Sequence, residues 1–348
     1  MAPSGPSTAS PPKNRSRTRH SLRKDRSLCA VEVRELRQAD DSADLVASVT
    51  DWFDGHRREL PWRRVDRTPW GVLVSEIMLQ QTPVARVIPA WLEWLERWPT
   101  PPDLARAAPG EAVRQWGRLG YPRRALRLHA AATAITSEHA GVVPESDAAL
   151  RALPGVGEYT AGAVRAFAFG QRALVLDTNV RRVLARLMAA AEHPSPSLTV
   201  AERAMAEALL PQDGSAAAHW SVAVMELGAL VCTSASPGCG VCPVSDRCAW
   251  LAVGRPGYTG PARRVQRFAG TDRQARGALM AVLRESHGPV SGEVLDQAWQ
   301  SDPIQRARAL DGLVADGLVE LVGDKDFGLP GLHAAAVAAA PSTVAPSP

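Results

Sequence analysis

Residues 153–182 read LPGVGEYTAGAVRAFAFGQRALVLDTNVRR, and this stretch decides how the rest of the chain is interpreted. Its PGVG segment, residues 154–157, predicts a tight turn between two helices, the second of which opens at Tyr159 and runs to about Phe169. The backbone N–H groups of such a turn point outward at a helix N-terminus, where they can donate to phosphate oxygens without reading any base sequence. Glycine-rich turns also connect helices that bind nothing, so the spacing alone leaves both interpretations open.

A resemblance to known proteins favours the first interpretation. LPGVGEYTAGAV resembles the helix-hairpin-helix of the endonuclease III superfamily of DNA glycosylases, and LDTNVRRVLAR resembles the segment that carries their catalytic aspartate. The resemblance implies that Asp177 is this aspartate and that Gly155, Val156 and Gly157 of the hairpin contact DNA. Tyr159 stands where bifunctional members carry a lysine nucleophile, which implies a monofunctional enzyme.

Two acidic residues have the settings that cleavage of a purine N-glycosidic bond requires. The leaving base must be protonated, and the sugar cation that develops must be stabilised by a nearby anion. Glu76 lies in the apolar helix VLVSEIMLQQT, where burial would raise the pKa of its carboxyl and keep a proton available. Asp177 precedes a helix that begins near Asn179, and the positive end of that helix favours the ionised form. Each also has an ordinary interpretation, Glu76 as a solvent-facing residue and Asp177 as a plain N-cap.

The segment SEIMLQQTPV resembles specifically the adenine DNA glycosylases of the MutY type, whose pyrimidine-specific relatives lack its LQQT. This resemblance implies Glu76 as general acid and Asp177 as the stabilising anion or transient nucleophile. Tyr159 would support Asp177 or the developing cation, and Asn179 would orient a water molecule or Asp177. The same correspondence assigns four residues to the base pocket: Leu60, Trp62, Arg63 and Glu226.

The correspondence also implies that the glutamine-threonine end of this segment, Gln80, Gln81 and Thr82, enters the DNA duplex. Gln81 and Tyr121 match residues that wedge into the base stack near the opposing base. An aromatic face such as that of Tyr121 can replace the stacking that is lost when a base is extruded. A core position for Tyr121 stays open as the alternative. The GYPRRA segment has Pro122 where the family often has a second tyrosine, so the wedge of this loop departs from the family pattern.

Four of the five cysteines fall in one short segment, Cys232-x6-Cys239-x2-Cys242-x5-Cys248. A disulfide pair is disfavoured because we expect a reducing compartment. Zinc suits an all-cysteine site, although zinc sites usually show two short Cys-x2-Cys pairs and this segment has one. Four thiolates also suit a [4Fe-4S] cluster. The segment resembles the cluster loop of the endonuclease III superfamily, which implies the [4Fe-4S] cofactor.

Charge and composition limit where a DNA-binding surface can lie and where in the cell we expect the protein. The chain has 348 residues and a net charge of +4, but residues 1–28 hold seven lysines and arginines against one aspartate. The rest of the chain is therefore slightly negative, and a DNA surface on it must be a local patch. No apolar run approaches a membrane span, and the N-terminus lacks a signal-peptide pattern, so we expect a cytoplasmic, nucleoid-associated monomer with no membrane partner.

The pattern of apolar residues predicts a mainly α fold. From residue 41, Leu45, Val46, Val49, Trp52, Phe53 and His56 form one helical face that belongs in a core. We predict a two-lobed helix-hairpin-helix glycosylase fold with a winged-helix-like C-terminal domain. Its ranges are a disordered basic tail (1–40), a cluster lobe (41–68 and 177–255), a helical lobe (69–176), the winged-helix-like domain (268–330) and a disordered tail (331–348).

Longer members of the family carry a β-rich, Nudix-like domain that recognises 8-oxoguanine, and this chain departs from that pattern. Residues 272–284, 293–299 and 303–313 predict helices, and LVELV with the GDKDFG turn follows them. That order is typical of a winged helix. Ser286-His287 lie at a helix end before Gly288-Pro289, which is not the setting of the 8-oxoguanine-reading motif.

The sequence therefore predicts a monofunctional hydrolase that removes adenine from A·G or A·8-oxoguanine mispairs in double-stranded DNA. Two alternatives remain: a thymine or uracil mismatch glycosylase on the same scaffold, and a non-catalytic iron-sulfur protein that binds DNA.

Overall fold

The computed structural model describes residues 41–260 and 268–333. The tail predicted for residues 1–40, with Cys29, lies outside the described residues, and so does most of the tail predicted from residue 331. Residues 331–333 are described, and they form a turn in which the Gly331 N–H donates to Glu320.

The described chain is mainly helical, as the sequence predicts. Its first part, up to residue 260, contains helices α1 (41–56), α2 (Pro69–Leu79), α3 (Val84–Arg97), α4 (Pro101–Arg106), α5 (Pro109–Gln115), α6 (Arg123–Glu138), α7 (Asp147–Ala152), α8 (Glu158–Phe169), α9 (Thr178–Ala189), α10 (Val200–Leu209), α11 (Gly214–Leu230) and α12 (Ala249–Ala252). Short 3-10 helices lie at Pro61–Arg63, Cys239–Val241 and Ser245–Arg247.

Helix α2 is the central helix of the first of two hydrophobic cores. Every residue from Trp70 to Met78 is buried, because α3, α6 and α8 pack around it. The side chain of Thr68 accepts from the Gly71 N–H, and Pro69 occupies the first turn, so the start of the helix is fixed. A helix that is enclosed on all sides explains the nearly continuous apolar sequence.

The second core joins α1 to α9, α10 and α11, and the cysteine segment packs against it. Leu45, Val49 and Phe53 of α1 are buried there as predicted. His56 is exposed instead, and its ring stacks on Trp52 at 5.4 Å. The prediction for His56 was wrong because α1 ends at this residue, beyond the reach of the core.

The C-terminal part has the order of a winged helix: α13 (Asp272–Glu285), β1 (Val290–Ser291), α14 (Gly292–Ala298), α15 (Pro303–Ala315), β2 (Glu320–Val322) and β3 (Asp326–Gly328). The three strands form an antiparallel sheet in the order β1-β3-β2, with Phe327 opposite both Val290 and Leu321. The sequence did not predict β1, since a two-residue strand carries no alternating pattern and exists only through its pairing with β3.

The winged-helix part is docked on the first core rather than tethered beside it. Leu279 and Leu283 of α13 belong to the same apolar cluster as α2 to α8. Arg114 of α5 donates to the carbonyls of Arg284 and Ser286 at 3.2 and 2.8 Å, and the Gly110 N–H donates to Pro330 at 2.7 Å. Among the helices of both described ranges, none has the length and apolar character that crossing a bilayer requires.

Candidate active site

Glu76 is a buried carboxylate on the central helix, with only 5% of its surface exposed. The polar and charged groups that act on it come from other elements. The Tyr159 hydroxyl, near the start of α8, donates a hydrogen bond to it. The charges of Asp177 and Arg63 also act on it, which brings residues from four separate segments to one place.

Burial raises the pKa of Glu76 to about 7, and the negative charge of Asp177 adds to this rise. The hydrogen bond from Tyr159 and the charge of Arg63 act in the opposite direction. A carboxyl group with this pKa holds its proton in a good fraction of molecules at neutral pH. Glu76 can therefore donate a proton inside an apolar site, as its sequence setting predicts.

Asp177 is the N-cap of α9. Its Oδ1 accepts from the Val180 N–H at 2.7 Å, and its Oδ2 accepts from the Asn179 side chain at 2.7 Å. Burial raises the pKa of Asp177 above its usual range, although these hydrogen bonds and the charge of Arg182 act against the rise. From the sequence we expected the helix end to favour the ionised form of Asp177. Burial acts in the opposite direction, and the sequence does not reveal how deeply this carboxylate is buried.

A chain of hydrogen bonds runs from Asp177 toward the cysteine segment. Arg182 donates to the Asn179 side chain at 2.8 Å and, from its Nε, to the Cys232 carbonyl at 2.8 Å. Gly228 makes this approach feasible, since a Cβ there would meet the Asn179 Cβ at 2.8 Å. The orientation of Asp177 is therefore coupled to the backbone that carries the first cysteine.

Glu226 is completely buried and contacts two arginines. Arg58 donates to both of its carboxylate oxygens at 2.8 and 2.7 Å, and Arg63 donates to Oε2 at 3.0 Å. Burial would raise the pKa of Glu226, but the hydrogen bonds from Arg58 and Arg63 outweigh it and lower the pKa to about 2. Glu226 thus lies behind Arg63 as a fixed anion that orients the guanidinium group.

Arg58 is a site residue that the sequence reasoning missed. It lies two residues before Leu60 in HRRELPW, and its main-chain N–H also donates to Glu226 at 3.0 Å. Its position beside Leu60 could have suggested a role, but a surface arginine gives the same pattern. Leu60 and Trp62 themselves are 5% and 7% exposed, and Trp62 packs edge-on against Trp91 at 5.9 Å.

The loop after α2 and the loop before α6 are fastened together by Arg124. Its guanidinium donates to the carbonyls of Gln80 and Gly120 and to the Thr82 hydroxyl. Arg124 is 6% exposed, and burial lowers its pKa to about 10. The sequence did not single it out, because GYPRRA contains two adjacent arginines of which only one is buried.

These two loops present Gln81 and Tyr121 on the surface. Both have left-handed backbone conformations, with φ of 57° and 47°, which residues other than glycine rarely adopt. Gln81 is exposed, and Tyr121 is 45% exposed, so the alternative core position of Tyr121 does not apply. The nearby Thr82 is buried and accepts from Arg124 instead of projecting outward.

The hairpin has the geometry that its sequence predicts. Gly155 lies between α7 and α8 with a φ of 82°, and a Cβ there would meet the Cβ of Arg127 at 2.9 Å. Val156 is buried and anchors the turn, while Gly157 begins α8 without a side-chain cap and faces open space. The first N–H groups of α8 are thereby presented beside an unobstructed glycine.

The four clustered cysteines line one apolar cavity between α9, α11 and α12. Burial raises the pKa of Cys242 to about 11, and the charges of the other three cysteines add to it. Arg186, which is 1% exposed, donates to the Cys232 sulfur at 3.4 Å and to the carbonyls of residues 233 and 234. Four sulfurs and a buried cation in an apolar cavity fit a [4Fe-4S] cluster.

The cysteines do not converge on a single ion. Within residues 41–260 and 268–333, no three cysteine, histidine or acidic side chains are grouped closely enough to hold one metal ion. Four cysteine donors suit both zinc and a [4Fe-4S] cluster.

Comparisons with known proteins place this chain among repair enzymes. Residues 74–208 match the HhH-GPD superfamily base excision DNA repair protein family. An adenine DNA glycosylase of Mycolicibacterium smegmatis is 54% identical over 281 residues, which are 80% of this chain and 94% of that protein. An adenine DNA glycosylase of Mycobacterium tuberculosis is 51% identical over 281 residues, with 80% and 91% covered.

Solved structures show the same fold. A thermostable thymine-DNA glycosylase is 27% identical with a TM-score of 0.55, over 62% of this chain and 98% of that one. Endonuclease III in a non-covalent complex with DNA is 23% identical with a TM-score of 0.53, over 62% and 97% of the two chains. The second likeness shows the fold alone.

Proposed function

This chain belongs to the adenine DNA glycosylases of the HhH-GPD superfamily, and we propose that it removes adenine mispaired with guanine or 8-oxoguanine from double-stranded DNA. One observation carries the proposal: Glu76, with a pKa of about 7, and the N-cap Asp177 act on each other at one site, where Tyr159 joins Glu76. A proton donor and an anion in one small site match the two demands of glycosidic cleavage.

In the proposed reaction, Glu76 donates its proton to the adenine while the bond to deoxyribose breaks. Asp177 stabilises the positive charge that develops on the sugar, and a water molecule completes the hydrolysis. Asn179 holds one oxygen of Asp177, and the Val180 N–H holds the other, so the carboxylate cannot rotate away. The hydrogen bond from Tyr159 would hold the Glu76 carboxyl in position beside Asp177.

We assign recognition of the extruded base to Arg63 and its neighbours. The Nη1 atom of Arg63 is buried and has no hydrogen-bond partner within the described ranges, although Nη2 is held by Glu226. A buried donor without a partner is costly unless a ligand or water accepts it. A ring nitrogen of adenine would satisfy it, with Leu60 and Trp62 as the apolar walls.

DNA binding is assigned to the hairpin and to the two loops that Arg124 fastens. The hairpin N–H groups beside Gly157 would hold a phosphate, and Gln81 and Tyr121 would enter the space that the extruded adenine leaves. Glu76 lies three residues before the end of α2, which corresponds to roughly 4.5 Å of helix rise, and Gln81 lies two residues beyond that end. The wedge therefore lies close to the proton donor.

The four cysteines, Cys232, Cys239, Cys242 and Cys248, would hold the [4Fe-4S] cluster. When bound, the cluster supplies a rigid cross-link between the end of α11 and α12. This chain's own residues then transmit that order to the site, since Arg182 joins the Cys232 backbone to Asn179 and so to Asp177. Loss of the cluster would loosen the support of the catalytic aspartate.

The test measures base release from A·G and T·G duplexes under single-turnover conditions. We expect adenine release from A·G, and we expect Asp177→Asn and Glu76→Gln each to lower it at least a thousandfold while duplex binding persists. Asparagine can still cap α9, so the first variant should remain folded. Release of thymine without adenine would instead favour the mismatch thymine glycosylase that the fold likeness also allows.

A non-catalytic DNA-binding protein makes a different prediction. In that case the wild type and both variants would bind duplex DNA equally and release no base from either substrate. Trapping of a covalent adduct with borohydride would contradict the monofunctional assignment, which rests on Tyr159 in place of a lysine.

A further inference from the structure

Arg273, in the first turn of α13, lies between two aromatic rings at the edge of the winged-helix part. Its guanidinium carbon is 5.1 Å from the centroid of Tyr121 and 5.8 Å from that of Phe268. We propose that Arg273 binds the DNA strand opposite the adenine, at the nucleotide beside which Tyr121 enters the stack. The proposal rests on the proposed function, because it takes Tyr121 as the wedge.

The contact between Arg273 and Tyr121 joins a peripheral domain to the DNA-facing loops. Arg124 lies 5.6 Å from the same tyrosine ring and also holds the loop that presents Gln81. Tyr121 is therefore contacted by one buried arginine from the first core and by one exposed arginine from α13. A nucleotide that contacts the Tyr121 ring would therefore also lie beside Arg273.

Arg273 has no acidic partner among the described residues, unlike Arg276 on the same helix. Arg276, three residues after Arg273, pairs with Asp316. Asp272, the residue directly before Arg273, pairs with Arg308 at 2.7 Å. The acidic groups around Arg273 are thus already engaged by other cations. A stacked guanidinium keeps its N–H edge open, and that edge matches paired acceptor atoms.

The docking of the winged-helix part holds the helix that carries Arg273 against the first core in the absence of DNA. Arg114 hydrogen-bonds the C-terminal end of α13, Gly110 donates to Pro330, and Arg123 pairs with Asp316 at 3.2 Å. Arg123 begins α6, two residues after Tyr121, so one ion pair spans from the wedge loop to the C-terminal end of α15. A preorganised cation loses little entropy when it binds its ligand.

The strand opposite the adenine offers two sets of paired acceptors that fit this edge. One is the O6 and N7 edge of the opposing guanine-type base, and the other is the phosphate that flanks it. Both belong to the same nucleotide, and each would be contacted by the same face of Arg273. The two sources differ in their response to removal of the base and to salt.

The experiment measures binding of the full chain to duplexes by fluorescence anisotropy over a range of salt concentrations. The duplexes carry 2′-fluoro-2′-deoxyadenosine, which resists cleavage, opposite either guanine or an abasic analogue. We expect Arg273→Ala to weaken binding to the guanine duplex about tenfold. The matched control, Lys325→Ala, removes an exposed charge from the turn between β2 and β3 and should leave binding unchanged.

The abasic duplex distinguishes the two sources. A loss that persists on the abasic duplex, with a salt dependence reduced by about one phosphate contact, assigns the contact to the phosphate. A loss that disappears there assigns it to the base edge. Unchanged binding of Arg273→Ala to both duplexes overturns the proposal, and so does an equal loss in Lys325→Ala.

A double-mutant cycle locates the contact. If Arg273 acts beside the wedge, then Arg273→Ala should cost less in a Tyr121→Ala background than alone, whereas additive losses would show that it acts elsewhere and would overturn the placement. Adenine release by the wild type on A·G is measured separately. If no adenine is released and Arg273→Ala still weakens binding, the proposed function fails while the strand contact stands.

Discussion

Glu76 combines two properties that single residues seldom have together, since it is 5% exposed and titrates near neutral pH. Both follow from its place in the middle of a helix that is buried on every side. The carboxyl has lost its water, and one hydroxyl from Tyr159 compensates only in part. The chemistry of the site depends on this incomplete compensation.

The pH dependence of adenine release should report this carboxyl group. We expect the single-turnover rate to fall as the pH rises through about 7, because Glu76 loses the proton that the base must receive. The acid limb should belong to Asp177, whose raised pKa places its protonation above the usual range for aspartate. The two limbs are properties of the coupled pair rather than of either residue alone.

Stability gives an independent measure of the same group. The native pKa of about 7 exceeds the unfolded value of 4.5, so the native state binds more protons between these pH values. The free energy of unfolding should therefore fall by about 3 kcal/mol as the pH rises from 4.5 through 7. Urea titrations of Glu76→Gln should lack this decrease, and an identical decrease in both proteins would contradict the assignment.

The hairpin between α7 and α8 offers a matched pair of substitutions. Gly155→Ala should lower the free energy of unfolding by roughly 1 to 3 kcal/mol, because an alanine at a φ of 82° is strained and its Cβ meets Arg127. Gly157→Ala should leave stability unchanged, since its φ of −97° suits alanine and nothing lies within 4 Å of the new Cβ.

Gly157→Ala should weaken DNA binding even though it leaves stability unchanged. Its methyl group would stand where the hairpin N–H groups approach a phosphate, so affinity should fall about tenfold, the worth of one hydrogen bond to a charged group. Thermal unfolding and anisotropy on the same two variants check both statements. Normal DNA affinity in Gly157→Ala would show that the phosphate does not lie against this hairpin.

Helix ends and contacts between loops differ in how well the sequence predicts them. Helix ends were predictable because capping residues and prolines lie in the sequence, as Thr68 and Pro69 do for α2. The fastening of two loops by Arg124 was not predictable, since its carbonyl partners at the end of α2 lie 44 to 47 positions away. Side chains that bind main-chain atoms leave no pattern in the partner sequence.

Across the whole molecule, the candidate site lies where the two hydrophobic cores meet. Glu76 and Tyr159 come from helices around the first core, while Asp177 and Glu226 come from helices of the second. The cysteine segment contacts the second core on the far side of α9, and the Arg182 chain connects it to Asp177. These hydrogen bonds link the backbone of that segment to the candidate site.

Removing one proposed cluster ligand tests this dependence. Cys242→Ser should lose bound iron and sulfide, lower the thermal stability, and reduce adenine release because α9 loses part of its support. Metal analysis, visible absorption and calorimetry measure the first two effects. Cys29→Ser is the matched control, and it should retain the full cofactor.

Two results would contradict the cluster assignment. Wild-type protein that contains one zinc ion and no iron would favour the alternative that the cysteine count leaves open. Full iron content in Cys242→Ser would show that this cysteine is not a ligand. Retained adenine release in an iron-free variant would instead show that the hydrogen-bond chain does not support Asp177.

The sequence by itself determined the mainly helical fold, the hairpin, the winged-helix order and the family. These depend on short-range patterns: apolar periodicity, capping residues, glycines where the backbone must turn, and motifs that keep their order along the chain. It also indicated the raised pKa of Glu76, because an acidic residue inside an apolar helix loses its water and its charged form becomes costly.

Only the tertiary structure decided how those parts act on one another. The rise in the pKa of Asp177, the burial of Glu226 behind Arg58 and Arg63, and the contact of Arg273 with Tyr121 each join segments far apart in sequence. Desolvation and charge pairing depend on distance in space, and a linear pattern does not contain that distance.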